Sequence, residues 1–360
     1  MRYTRRDFGR IALAAATASR LLAAKPNSVF GGVQIGVITY SFRTLPGSAE
    51  ETLNYCIDCG VSAVELMSNV AEGYAGAPAQ AVRGFGGPGR GPGPGGPGGG
   101  GPGGGPGGGG PGGGPGGRGP GRGPGGRQPL TPEQQAAQQK AAEEVKQWRL
   151  SVSMDKYKAF RKMYEDAGVK IYAFKLPPTM SMSDAEYEYI WNVGQTLGAN
   201  HITMELPTDD ALLQRVAAFA AKRKLRIAFH THGQGGAAGF DKALGASDYT
   251  ALNLDVGHYY GVNGKSPVPV IEKYHDRIAS LHLKDRKGPN SAGENPGPGG
   301  GGPNMPWGQG ETPLRDILQL MKTQKYKFPG SIEYEYNTPE GSDVLTEVKK
   351  CVQFCKDALA

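Results

Sequence analysis

Eight short runs rich in β-branched and aromatic residues recur along this chain, and stretches with helical periodicity separate them. Such alternation is typical of a parallel sheet covered by helices. The predicted strands span residues 34–41, 63–67, 170–174, 201–205, 226–230, 251–255, 278–283 and 331–336. No glycine-rich dinucleotide fingerprint follows the first strand. Eight strands with intervening helices therefore favour a closed (β/α)8 barrel of the α/β class over an open, nucleotide-binding sheet.

Glycine and proline are concentrated in two segments that cannot bury a core. The 360 residues include 59 Gly and 28 Pro, against a usual share of roughly 12%. Residues 84–127 are almost entirely Gly, Pro and Arg, and a shorter run spans 288–303. We expect a disordered low-complexity insertion at 84–127, after the second strand of a single barrel domain covering 33–360. A lid or matrix-binding function for the insertion stays open.

The positive charge of the chain lies outside the predicted barrel. The formal net charge is +7, and residues 1–25 and 83–127 each contribute a net +5. The remainder carries about three net negative charges. A nucleic-acid-binding protein concentrates basic residues on its folded domain. The sequence therefore predicts no nucleic-acid partner.

The first 25 residues resemble a twin-arginine export signal. Arg5 and Arg6 precede an apolar run, and the small residues Ala23 and Ala24 follow it. This order of charged, apolar and small residues is typical of a leader. The resemblance implies recognition by the twin-arginine export machinery and a periplasmic location. Cleavage near Ala24 and retention as a membrane anchor are both open.

Four cysteines lie on the first and last predicted helices, which are neighbours in an eight-stranded barrel. Cys56 and Cys59 are on the first, and Cys351 and Cys355 are on the last. Buried thiols are the default for such small apolar residues. A disulfide between the two helices is open in an oxidising compartment. The sequence leaves the oligomeric state open, a homo-oligomer included.

Acidic residues and histidines recur near the C-terminal ends of the predicted strands, where barrel enzymes build their active sites. In chain order they are Glu205, His230, His232, Asp255, His258, His282, Glu333 and Glu335. Residues two apart on a strand share a face, so several of these side chains point the same way. Buried acids need a compensating charge, which a bound cation supplies. An oxygen-rich ligand set of this kind suits Mn²⁺, Mg²⁺ or Co²⁺, and Zn²⁺ is also compatible.

Several motifs resemble the sugar isomerase/epimerase superfamily, whose members share the xylose-isomerase-like TIM barrel. They are H-T-H-G at 230–233, L-D-V-G-H at 254–258, L-H-L-K-D at 281–285, W-G-Q-G at 307–310 and S-I-E-Y-E at 331–335. The resemblance covers nearly all of the chain after the leader, apart from the two Gly/Pro segments. It implies a metal held by four ligands from the fourth, sixth, seventh and eighth strands, namely Glu205, Asp255, His282 and Glu333. It also implies that the two glutamates act as the acid and base, with Glu335 competing for the last ligand position.

The remaining polar residues are candidates for contacts with substrate. His230, His232 and His258 are suited to bind substrate hydroxyls or to transfer protons. Lys175 and Lys284 are candidates for polarising substrate oxygens. Glu65, on the second strand, has the same standing as these lysines.

The resemblance implies chemistry on a small-molecule carbohydrate. A divalent metal that binds a carbonyl and an adjacent hydroxyl stabilises an enediolate, so the sequence predicts a metal-dependent sugar isomerase or epimerase. Loss of a β-hydroxyl or glycosidic oxygen would instead make the enzyme a lyase or dehydratase acting on a keto-sugar or inosose. An exported sugar-binding protein without catalytic activity is a third alternative. An abasic-site endonuclease is disfavoured because the second and third strands carry no histidine.

Overall fold

The computed structural model of the protein describes residues 25–82, 131–232, 236–291 and 300–360. The predicted leader, apart from Lys25, and the predicted insertion at 84–127 lie outside the described residues. Eight parallel strands form the sheet and are numbered in chain order. They are β1 (Val33–Ile38), β2 (Ala63–Met67), β3 (Lys170–Lys175), β4 (His201–Glu205), β5 (Arg226–His230), β6 (Thr250–Asp255), β7 (Ile278–Leu283) and β8 (Gly330–Ile332).

The sheet closes on itself. Each strand pairs in parallel with its neighbour in sequence, and β1 pairs with both β2 and β8. A short strand, Val29–Phe30, adds to β1 in antiparallel fashion, and Asp285–Arg286 pairs with Asn304–Met305 beyond β7. The prediction of a (β/α)8 barrel is thus confirmed.

Helices cover the outside of the sheet. They are α1 (Ala49–Asp58), α2 (Ser68–Tyr74), α3 (Ala79–Val82), α4 (Pro132–Ser151), α5 (Met154–Asp166), α6 (Asp184–Leu197), α7 (Asp210–Arg223), α8 (Ala237–Gly245), α9 (Val256–Asn263), α10 (Val268–Tyr274), α11 (Leu314–Thr323) and α12 (Val344–Leu359). The start of α6 shows why the boundaries follow the sequence. Ser183 and Glu186 form a reciprocal capping box there, and Gly198 ends the helix in a left-handed conformation.

Two strands are shorter than the sequence predicts. The chain turns into a short 3-10 helix at Thr39–Phe42 instead of continuing β1 to residue 41, and β8 ends at Ile332 instead of residue 336. Side-chain hydroxyls accept hydrogen bonds there in place of backbone pairing between strands. Thr39 Oγ1 accepts a hydrogen bond from the Met67 amide, and Ser41 Oγ accepts one from the Tyr334 amide. Polar side chains therefore satisfy backbone groups that β-pairing would otherwise use.

The interior of the barrel holds several buried polar residues below the C-terminal ends of the strands. Tyr172 fills the bottom of the barrel against Gly36, where a Cβ atom would lie 2.8 Å from the tyrosine ring. Above it, His201, Thr203, Asn253 and Ser280 are all buried. The apolar core lies outside the sheet, between the strands and the covering helices.

All four cysteines are free, buried thiols in the structure. Burial raises the pKa of each of them, which suits an unreactive structural role.

Within the described ranges, no helix is both long enough and apolar enough to span a membrane.

The chain leaves the described region at the end of α3 and returns at the start of α4, and these two helices contact each other. We therefore expect that a flexible linker long enough to join the two helices can replace residues 84–127 without straining the barrel. We predict that the deletion variant unfolds within a few degrees of the full-length protein in thermal denaturation. A large fall in melting temperature would show that the segment packs against the barrel.

Candidate active site

The strand ends bring the predicted site residues together. Glu205, His230 and Asp255 are the last residues of β4, β5 and β6. The register pairs Glu205 with His230 and Asp255 with His282. Glu333 follows the last residue of β8. All five side chains therefore come from the C-terminal end of the barrel, as the sequence predicts.

Four buried side chains form the centre of the site. One donor atom from each of His230, Asp255, His282 and Glu333 lies within 4.8 Å of the others. His282 Nδ1 is 2.6 Å from Glu333 Oε2, and His230 Nε2 is 3.8 Å from Asp255 Oδ2. His230 Nδ1 is buried and makes no hydrogen bond with any residue that the structure describes. Two carboxylates and two imidazoles converging in this way are chemically suited to a divalent cation. We call these four residues the acid–imidazole cluster.

Lys284 supplies the positive charge beside this cluster. Its ammonium lies 2.9 Å from Asp255 Oδ2, 2.9 Å from Glu333 Oε2 and 2.7 Å from Glu335 Oε2. Its side chain lies over Gly257, where a Cβ atom would be 2.6 Å from the Lys284 carbonyl oxygen. Burial opposes the charge, but the three carboxylates raise the pKa of Lys284, so it remains an ammonium.

His282 is held between two carboxylates. Its Nε2 atom lies 2.8 Å from Glu65 Oε2, on the side away from Glu333. Thr203 and Asn253 donate hydrogen bonds to Glu65, which is fully buried in the middle of β2. Burial would lower the pKa of His282, but the two glutamates raise it to about 10. This carboxylate–imidazole arrangement is the one that commonly orients a metal-binding histidine.

The acid–imidazole cluster and the two glutamates beside it contain more acidic than basic groups. Glu65, Asp255, Glu333 and Glu335 outnumber the cationic groups that touch them, Lys284 and protonated His282. Burial raises the pKa of Asp255, although Lys284 opposes this. For Glu333, Lys284 and His282 overcome burial and hold the pKa well below its ordinary value. An excess of buried negative charge favours cation binding.

Glu205 lies outside the acid–imidazole cluster and forms its own group. Its Oε1 atom accepts a 3.0 Å hydrogen bond from Lys175 Nζ, and its Oε2 atom lies 2.7 Å from His232 Nδ1. Burial disfavours its charge, yet Lys175 and His232 lower the pKa of Glu205 to about 2. Glu205 is thus ionised. The family resemblance implies that Glu205 lies with Asp255, His282 and Glu333. In this structure His230, predicted to contact substrate, lies with those three residues instead.

His258 and Glu335 complete the rim. The His258 ring centroid is 4.5 Å from that of His232, and its Nε2 atom is 3.9 Å from Glu335 Oε2. Burial and the neighbouring cations lower the pKa of His258 well below its ordinary value, so the ring is neutral. A second set of donors, His230, His232 and His258, also lies within 4.8 Å.

Asp285 positions the loop behind the rim. Its carboxylate accepts hydrogen bonds from the amides of Gly308, Gly310 and Thr312. Gly310 lies so close to Asp285 that a Cβ atom at position 310 would collide with the Asp285 carboxylate. The W-G-Q-G turn therefore serves as a support for the segment that carries Lys284.

A chain of contacts joins all eleven residues that the sequence predicts for the site. They are Glu65, Lys175, Glu205, His230, His232, Asp255, His258, His282, Lys284, Glu333 and Glu335. Sequence reasoning missed Asn253 and Arg286 and did not foresee the contact between Glu65 and His282. Asn253 could have been found because it is two residues before Asp255 on the same face of β6. The position of Arg286 has no such local signal.

Comparison with known proteins agrees with this architecture. Residues 211–356 match the family model described as xylose isomerase-like TIM barrel. No curated protein matches the sequence. Among solved structures, the probable 3-DHS dehydratase AsbF of Bacillus anthracis is 14% identical, with a TM-score of 0.53 over 89% of this chain and 98% of its own. At that identity the likeness shows the barrel fold alone.

Two further solved structures have lower TM-scores. A sugar phosphate isomerase/epimerase of Parabacteroides distasonis is 18% identical, with a TM-score of 0.48 over 89% of this chain and 97% of its own. The 3-keto-D-glucoside 4-epimerase YcjR of E. coli is 10% identical, with a TM-score of 0.41 over 90% of this chain and 100% of its own.

Proposed function

We propose that the protein is a divalent-metal-dependent sugar isomerase or epimerase. The observation that carries this proposal is the acid–imidazole cluster, which gathers buried carboxylates and imidazoles in excess of the local positive charge at the catalytic end of the barrel. The match of residues 211–356 to the xylose isomerase-like model supports it from the sequence. The substrate class we propose is a carbohydrate that has a carbonyl beside a hydroxyl-bearing carbon.

The residues fit a metal ion if Lys284 and Glu205 both move and His282 gives up its proton. Asp255, His282 and Glu333 already converge, and we assign Glu205 as the fourth ligand because three carboxylates suit Mn²⁺, Mg²⁺ or Co²⁺ better than two. The Lys284 ammonium must then move from Asp255 and Glu333 toward Glu335, which it already contacts. When bound, the ion would stabilise negative charge that develops on the substrate oxygens during proton removal.

Glu205 and Glu333 are the groups that we propose to move the proton. Both are held ionised, Glu205 by Lys175 and Glu333 by Lys284 and His282. Either can therefore accept a proton from the carbon beside the carbonyl without first losing one. If one glutamate takes the proton and the other delivers a proton that it has taken up from solvent at the opposite face, the product is an epimer, and the first glutamate releases its proton to solvent. Return at the neighbouring carbon gives an isomer.

Elimination is the second candidate function, and His232 is the observation that favours it. Its side chain retains 22% exposure at the mouth of the site, beside Glu205. An imidazole in that position can protonate a leaving hydroxyl or glycosidic oxygen after Glu205 removes the proton. The product would then be unsaturated, and the enzyme would be a lyase or dehydratase on a keto-sugar or inosose.

We predict that the protein loaded with Mn²⁺ incorporates solvent deuterium into its substrate. Ketoses, inososes and 3-keto-glycosides would be incubated in D2O and followed by NMR and mass spectrometry. Deuterium beside the carbonyl without loss of water is the expected result. An unsaturated or cleaved product would instead establish the lyase, and sugar binding without exchange or conversion would establish a binding protein.

A further inference from the structure

Arg286 is fully buried beside the site, and the proposed chemistry gives it no role. Its Nε and Nη2 atoms donate hydrogen bonds to the Gly302 carbonyl at 2.9 and 2.5 Å, and Nη2 also donates to the Gly300 carbonyl at 2.7 Å. A Cβ atom on Gly261 would lie only 2.9 Å from Nε. Backbone atoms thus surround the guanidinium, and its Nη1 atom points at His258.

The contact between Arg286 and His258 fixes the position of a hydrogen atom. Arg286 Nη1 lies 2.5 Å from His258 Nδ1. A guanidinium has only donors and does not lose its charge in proteins, so Nδ1 of His258 must be the acceptor. A neutral imidazole that accepts at one nitrogen carries its hydrogen on the other. His258 therefore presents an N–H group at Nε2.

That N–H group points into the site without a partner. His258 Nε2 is buried and makes no hydrogen bond within the described residues. The carboxylate oxygens Asp255 Oδ2 and Glu335 Oε2 are each 3.9 Å away, which is too far for a hydrogen bond. A buried donor left unsatisfied is costly, so this geometry calls for an acceptor between the two carboxylates.

We propose that Arg286 is a positioning residue that holds His258 as a neutral Nε2–H donor, and that His258 gives this hydrogen bond to a carbonyl or hydroxyl oxygen of the substrate. The second half of the inference rests on the proposed function. A nitrogen that carries a hydrogen has no lone pair for a metal, so in this tautomer His258 cannot bind a metal through Nε2. This holds although its ring nitrogen lies within 4.8 Å of those of His230 and His232. The tautomer also means that His258 cannot act as a base through Nε2.

The placement has a chemical consequence. A neutral donor aimed at a carbonyl oxygen stabilises negative charge that develops there without first giving up a proton. Arg286 ties this donor to the segment at 300–302, which supplies two of the carbonyls that hold the guanidinium. The orientation of His258 therefore depends on the segment at 300–302 as well as on Arg286.

The tautomer can be read directly in the full-length protein labelled with ¹⁵N-histidine and loaded with Mg²⁺. Long-range ¹H–¹⁵N correlation distinguishes the two nitrogens, and the spectrum of His258→Gln assigns the His258 signals among six histidines. We expect the Nε2–H form in the wild type and in Arg286→Lys, and a mixture or the Nδ1–H form in Arg286→Met. A wild-type Nδ1–H form or imidazolium, or an unchanged tautomer in Arg286→Met, would overturn the proposal.

Arg277→Met is the matched control. Arg277 also binds backbone carbonyls, those of Leu244, Ser247 and Thr250, but contacts no histidine in the described structure. Its loss should leave the His258 spectrum unchanged. If Arg286→Met does not fold, Arg286→Lys and the wild type still decide the tautomer. None of these readouts needs turnover, so they stand even if the protein proves not to be a sugar isomerase.

Kinetics test the contact with substrate. Once a substrate is found, we expect Arg286→Met to lower kcat on the order of 100-fold with a smaller change in KM, as for other donors to a developing oxyanion. His258→Gln retains an N–H donor and should keep more activity than His258→Leu. Equal activity of the two His258 variants, or a large loss of Mg²⁺ affinity in His258→Leu, would contradict the donor role.

Discussion

The His282→Ala variant is expected to lose divalent-ion binding, and with it catalytic activity. His282 contributes to the acid–imidazole cluster and is oriented by Glu65. Loss even of a partner that orients a metal-binding histidine weakens affinity about 10- to 100-fold, so loss of the imidazole itself should exceed about 100-fold. Isothermal titration with Mn²⁺ measures the affinity, and elemental analysis of the purified protein should find about one ion per chain in the wild type.

His275→Ala is a suitable control because His275 is an exposed histidine at the other end of the barrel. It should bind Mn²⁺ as the wild type does. Two results together would contradict the metal proposal: the purified wild type contains no metal, and His282→Ala and Glu333→Gln titrate with Mn²⁺ as the wild type does. Lys284 would then be the permanent cation of the site.

The same titration decides the fourth ligand. Glu205→Gln should weaken Mn²⁺ binding strongly, whereas His230→Gln should weaken it little if Glu205 completes the set. The reverse result would assign the position to His230, as the arrangement in this structure does. Lys284→Met should strengthen Mn²⁺ binding, because the ammonium now competes for Asp255 and Glu333.

Local patterns in the sequence were enough to predict the barrel and to place the candidate site residues at one end of it. Strand alternation is a short-range signal, and the residues at strand ends inherit their position from it. The shortened ends of β1 and β8 were not predictable because Ser41 and Tyr334 meet across 293 positions of sequence. Their hydrogen bond exists only once the barrel closes.

The finer arrangement of the site depends on contacts between distant segments. Glu65 and His282 are 217 positions apart, and Arg286 reaches His258 only because glycine at 261 leaves room for the guanidinium. The orientation of Glu205 also depends on contacts with distant segments. Its place at the end of β4 was predicted, but its orientation toward Lys175 and His232 depends on side chains from β3 and the end of β5.

Arg149→Met is expected to lower the stability of the protein by about 3–5 kcal/mol, the usual cost of breaking a buried ion pair. Arg149, on α4, makes two hydrogen bonds of 2.8 and 3.1 Å to Glu72 of α2, which is fully buried. Tyr189 also donates to Glu72, and its hydroxyl meets that of Tyr157. Removing the cation leaves the carboxylate with one neutral donor, so a charge remains buried without compensation.

Chemical denaturation of the wild type, Arg149→Met, Glu72→Gln and the double variant measures this coupling. The double variant should be more stable than the sum of the single effects predicts, because no charge is left unpaired. Arg161→Met is the matched control: its partner Glu165 lies four residues away on an exposed face of α5, where such pairs contribute about 0.3–0.5 kcal/mol. Equal losses for Arg149→Met and Arg161→Met would mean that α4 is not anchored through Glu72. A loss confined to Arg149→Met, with faster amide exchange in α4, would show that this one buried pair fixes the helix after residues 84–127 to the barrel.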